Sequence, residues 1–123
     1  MLVDKFRMKI TTHRGSSVGG VSLAEIEKIL IFIVGGVRTW CKAVGDKQFA
    51  LRDLFGGENY CWEGTPLQVL YDKFCNEGYA SDEAVQRAGN AAGRLLKRVL
   101  IEDTTRTYVV GDAGLANGYT WKQ

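Results

Sequence analysis

A chain of 123 residues, 46% of them hydrophobic, is long enough to bury one compact core and too short for two. Its net charge of +2 permits an anionic partner without requiring one, and a pI near 8.5 falls short of the value above roughly 9 expected of a dedicated nucleic-acid binder. The longest apolar run, Ile29 to Val34, is too short to span a bilayer, and Cys41, Cys61 and Cys75 are odd in number, widely spaced and without a C-x-x-C pair, so neither a disulfide framework nor a zinc site is indicated.

Charge is unevenly distributed along the chain. Residues 1–20 carry Lys5, Arg7, Lys9 and Arg14 against Asp4 alone, whereas residues 46–80 are acidic through Asp46, Asp53, Glu58, Glu63, Asp72 and Glu77. The cysteine pattern fits a reducing, cytoplasmic setting, and with no secretory apolar region at the start and no long apolar run a soluble protein without a membrane partner is expected.

Residues 1–20 are read as a basic N-terminal arm or strand. In the strand reading, Phe6, Met8 and Ile10 turn inward and Lys5, Arg7 and Lys9 outward. In the arm reading, the glycines and serines of His13 to Gly20 keep the segment loose until a partner orders it. Residues 21–123 are expected to form a single domain.

Ser22 opens the first helix, because Glu25 stands three residues on and completes a capping box. Ile26, Ile29, Leu30, Ile33, Val37, Trp40, Cys41 and Val44 keep helical spacing to Gly45, a C-cap glycine. The solid stretch Ile29 to Val34 is apolar all round and needs cover beyond one core face, from this chain or from a second copy in a homodimer. Gly35 and Gly36 interrupt it as a kink or a place of close approach.

Gln48 to Phe55 is expected to open as a short strand and close as one helical turn. In the loop Gly56 to Gly64, Tyr60 and Trp62 lie among acids and are read as a lid over the core rather than a stacking platform. Thr65, Pro66 and Gln68 start a further helix with inner residues Leu67, Leu70, Tyr71 and Phe74, ended by Gly78.

Ser81, taken as N-cap, then begins the most informative segment. Over Ser81 to Val99, Val85, Ala88, Ala92, Leu95, Leu96 and Val99 form an apolar stripe, and Arg87, Asn90, Arg94, Lys97 and Arg98 fall on nearly the opposite side. Arg, Lys and Asn are the residue types that neutralise phosphates and match guanine and adenine edges, while the same pattern also describes a solvated polar face. Two helices joined by the short turn Gly78, Tyr79, Ala80 have the outline of a helix-turn-helix. Alternation in Thr104 to Val110 and in Tyr119 to Gln123 signals a C-terminal β-hairpin around the loop Gly111 to Gly118.

That order, with Ala92-Gly93-Arg94-Leu95-Leu96-Lys97-Arg98, the strand Thr104 to Val110 and the closing Gly118-Tyr119-Thr120-Trp121, resembles the winged-helix domains of mobile-element and phage DNA-binding proteins. The resemblance implies an α+β fold of three main helices with a C-terminal β-hairpin, winged-helix-like. It makes Ser81 to Val99 a recognition helix with Arg87, Asn90, Arg94 and Lys97 facing double-stranded DNA, and Arg106 to Trp121 a wing. Asp112 stands at the wing tip, where many such wings carry a base.

Chemistry of other kinds finds little footing. His13 is the sole histidine, and no metal-ligand spacing, nucleophile elbow or P-loop occurs. The sequence therefore reads as a small DNA-binding protein, not an enzyme, with no cofactor; the candidate contacts are Arg87, Asn90, Arg94, Lys97, Arg98 and Arg106. The competing reading is a non-enzymatic protein-interaction module or homodimer of the same fold, joined through Ile29 to Val34.

Overall fold

The structure, a computed structural model, describes residues 1–12, 17–56, 62–113 and 116–123. Four helices and a four-stranded sheet form a mixed α+β fold: β1 (Leu2–Val3), β2 (Lys9–Ile10), α1 (Leu23–Ala43), α2 (Leu51–Phe55), α3 (Gln68–Asn76), α4 (Ser81–Glu102), β3 (Thr107–Ala113) and β4 (Ala116–Lys122). The sheet runs β2-β1-β3-β4, and β3 and β4 make the expected C-terminal hairpin.

The N-terminal segment is built into this sheet. Leu2 and Val3 pair in parallel with Tyr108 and Val109, while β2 pairs antiparallel with β1. The register differs from the alternation read in the sequence: Phe6 is 74% and Met8 65% exposed, Ile10 alone of the three packs partly against the core, and Leu2 and Val3 are the buried residues. The reason is a tight turn, not a continuous strand. The Asp4 carboxylate accepts from the backbone N–H groups of Phe6 and Met8 at 2.8 and 2.9 Å, and Arg7 takes a left-handed φ of 63°.

Ser22 caps α1 as expected, its hydroxyl accepting from the Glu25 amide and the Glu25 carboxylate from the Ser22 amide. Val44 is the C-cap, and Gly45 follows at φ 89°. Of the apolar run, Ile29 and Ile33 are fully buried, and Phe32 stacks on Phe55 of α2 with ring centroids 5.0 Å apart. Ile31 is left 73% exposed and Val34 38%. Gly36 is the point of close approach, since a Cβ there would lie 2.5 Å from the Phe55 ring.

Phe49 bridges Tyr119 through two backbone hydrogen bonds of 2.8 Å before α2 begins, so the helical turn expected of this stretch is present while the expected strand is reduced to a single bridge. Its ring lies 5.9 to 6.5 Å from those of Trp40, Tyr108 and Tyr119, so one buried phenyl group ties α1 to the hairpin. Trp62 is buried, in keeping with a lid; Tyr60, Cys61 and His13 lie outside the described residues.

α3 ends as a Schellman motif. Tyr79 N–H donates to the Phe74 carbonyl and Gly78 N–H to that of Cys75, Gly78 sits at φ 97°, and the Phe74 and Tyr79 rings meet edge to face at 6.1 Å. The entry to α4 departs from expectation: Ala80 is the N-cap, and Ser81 spends its hydroxyl on the Tyr71 hydroxyl at 2.8 Å. α3 also starts later than expected: Leu67 is its N-cap with no side-chain cap, Thr65 and Pro66 precede it in a turn where Thr65 Oγ1 accepts from Leu67 N–H at 3.3 Å, and Gln68 reaches forward to Asp72 instead of closing a box.

The hairpin strands extend further toward the turn than alternation suggested, because Gly111 and Gly118 are paired residues of the ladder. Their missing Cβ atoms make room for the Gln48 side chain, which passes 2.8 Å or less from where those atoms would stand.

Candidate nucleic-acid interface

α4 is two-faced by construction. Ala84, Ala88, Ala91, Ala92, Leu95, Leu96, Val99 and Leu100 are buried, the alanines letting this helix pack closely against its neighbours. At about 100° per residue, Arg87, Asn90, Arg94 and Lys97 fall within one quarter of the opposite side. Arg87, Asn90 and Arg94 are exposed and Lys97 partly so.

The cations of this strip differ in what holds them. Arg87 donates through Nη2 to Glu83 Oε1 at 3.0 Å and lays its guanidinium 4.1 Å from the Tyr79 ring centroid. Arg98 donates through Nε to Glu102 Oε1 at 3.1 Å. Both are i,i+4 pairs with exposed carboxylates, a type worth about 0.3–0.5 kcal/mol, so they tether the guanidinium without locking it. Arg94 and Lys97 make no hydrogen bond or ion pair among the described residues. Asp82 and Glu83 occupy the first turn, where they suit the helix dipole, and this leaves the positive strip at the middle and C-terminal half of α4.

Arg106 lies elsewhere. It precedes β3, is half-buried, and holds its guanidinium 5.2 Å from the Trp121 ring centroid. Its Nε is buried with no acceptor. The structure brings it together with Arg38 of α1 and Lys122 of β4, three cations from three separate elements that no sequence spacing signals.

Asp103 organises the junction between α4 and β3. Its carboxylate accepts from Thr105 N–H (2.8 Å), Thr105 Oγ1 (2.9 Å), Arg106 N–H (3.1 Å) and Tyr108 Oη (2.7 Å). Burial pushes the Asp103 carboxyl up, but the donors from Tyr108, Thr105 and Arg106 outweigh it and hold the group at about 2. Burial also pushes the Tyr108 hydroxyl far up, reinforced by its bond to Asp103. Arg38 stands 3.7 Å from the same carboxylate, and the Met1 amino group donates to the carbonyls of Asp103 and Arg106.

Among the described residues, no helix is long and apolar enough to cross a membrane and no three His, Cys, Asp or Glu side chains gather as a metal site. Cys41 and Cys75 are free thiols. Comparison with protein-family models, curated proteins and solved structures finds no match.

Proposed function

We propose that this chain is a DNA-binding domain of winged-helix type, in which α4 is the helix that enters the major groove. The observation that carries the reading is the strip Arg87, Asn90, Arg94 and Lys97 on the outer side of the helix that follows a tight Schellman turn, with Arg94 and Lys97 paired to no carboxylate among the described residues. A guanidinium and an amide at that spacing can read base edges, and the remaining cations neutralise phosphates. The β1–β2 turn adds Lys5, Arg7 and Lys9 at a second exposed place whose one acid, Asp4, is engaged with its own backbone. A mobile-element or phage regulator is the kind of protein this reading describes.

The test is fluorescence anisotropy with a duplex at several salt concentrations. If Arg87, Arg94, Lys97 and Arg98 each neutralise one phosphate, log affinity falls against log salt with a slope of about −3.6. Arg94→Glu with Lys97→Glu should flatten that slope by about half and weaken binding more than tenfold. No detectable duplex binding at low salt would end this reading.

A second reading, a homodimer or protein-interaction module, rests on the groove of about 560 Å³ between α1 and α2, lined in part by Ile31, Phe32, Trp40, Val44, Leu54 and Phe55. Self-association in sedimentation that Ile31→Glu abolishes, with no duplex affinity, would favour it.

A further inference from the structure

A second concavity, about 490 Å³ in volume, opens where Arg38 of α1, Thr105, Arg106 and Thr107 at the start of β3, and Trp121 and Lys122 at the end of β4 meet. Its wall carries three cations, two threonine hydroxyls, an indole and Gln123, and no Asp or Glu side chain. Arg106 is half-buried yet makes no ion pair among the described residues, its Nε is buried without an acceptor among them, and its guanidinium is held beside the Trp121 ring. Arg38 donates to Thr105 Oγ1 at 3.2 Å and stands 3.7 Å from the Asp103 carboxylate, an acid it shares with donors from Thr105, Arg106 and Tyr108.

Positive charge withdrawn from water without a counter-ion is unfavourable, and a guanidinium is matched best by an oxyanion that two of its N–H groups can reach. We propose that this concavity is a phosphate-binding site, with Arg106 and Arg38 as the guanidinium donors, Lys122 as a third charge, and Trp121 as the flat surface beside it. It uses none of the α4 cations and stands independently of how α4 is used. The phosphate comes either from a free nucleotide or from a nucleic-acid backbone.

The experiment follows the arginine Nε–H and tryptophan indole N–H signals of the whole chain by NMR during titration with inorganic phosphate, with a nucleoside 5′-monophosphate and with a short duplex. Phosphate should shift the Arg106 and Trp121 signals saturably. Arg38→Gln with Lys122→Gln, two exposed side chains, should weaken that response roughly tenfold or more, while Arg94→Gln with Lys97→Gln leaves it unchanged. Saturation by the monophosphate alone identifies a nucleotide as the carrier, and saturation by the duplex identifies a backbone; either supports the site. Absence of a saturable shift with any of the three, or a response the Arg38/Lys122 variant retains in full, overturns it. Duplex binding that fails only in the Arg94/Lys97 variant speaks to α4 and leaves this site standing.

Discussion

Replacing Asp103 with Asn removes one negative charge from the junction that joins α4, β3 and the N-terminus while leaving an oxygen to accept from Thr105 and Arg106. The carboxyl moves from an ordinary value of 3.8 to about 2 on folding, and its side chain is only 6% exposed, so solvent screens it little. At about 1.36 kcal/mol per unit, the ionised form contributes about 2 kcal/mol. A folded value below the unfolded one means that this contribution is complete above about pH 4 and fades as pH falls through 2. Urea unfolding of the parent and of Asp103→Asn should differ by roughly 1–2 M in midpoint at pH 7, given a slope of about 1–3 kcal/mol per molar. At pH 2.5 most of that gap should have closed. A gap of equal size at both pH values, or one that widens in acid, would refute the assignment of stability to the charged carboxylate. Tyr108→Phe, which removes one of the four donors, should reduce both the gap and its pH dependence.

Other outcomes follow from packing. Gly35→Ala should stabilise by up to about 1 kcal/mol because nothing lies within 4 Å of the added Cβ, whereas Gly36→Ala should destabilise by about 1–3 kcal/mol by driving into the Phe55 ring; thermal melts that reverse this order would contradict the α1–α2 contact. Leu2→Ala should lose about 2–5 kcal/mol, since Leu2 is fully buried in β1, and a loss below 0.5 kcal/mol would show that the segment does not belong to the sheet. Ile31→Lys should leave monomer stability within about 0.5 kcal/mol, as expected of a side chain 73% exposed, so any large effect would have to come from association, read by sedimentation. Arg87→Ala should cost no more than about 1.5 kcal/mol, the sum of an exposed pair and a stacking contact, as measured by chemical denaturation.

Where a signal is local, the sequence carries it. The Ser22–Glu25 capping box, Gly78 closing α3, the two faces of α4, and the helical turn that closes Gln48 to Phe55 all arise between residues a few positions apart, and each can be read before any long-range contact is known. The α+β order of helices followed by a hairpin comes from the same change of period. Contacts between distant parts of the chain decided the rest. Leu2, not Phe6 or Met8, is buried because the sheet offers a parallel place beside Tyr108 and Val109, and a two-residue strand displays too little alternation to announce itself. Gly111 and Gly118 serve as ladder residues beneath Gln48, which nothing in a glycine-rich stretch specifies. Ser81 turns to Tyr71 and not to its own helix because the Schellman turn brings that hydroxyl within reach. Arg38, Arg106 and Lys122 converge only once α1 is laid against the hairpin, since charge carried by three elements has no spacing in the chain, only proximity in space.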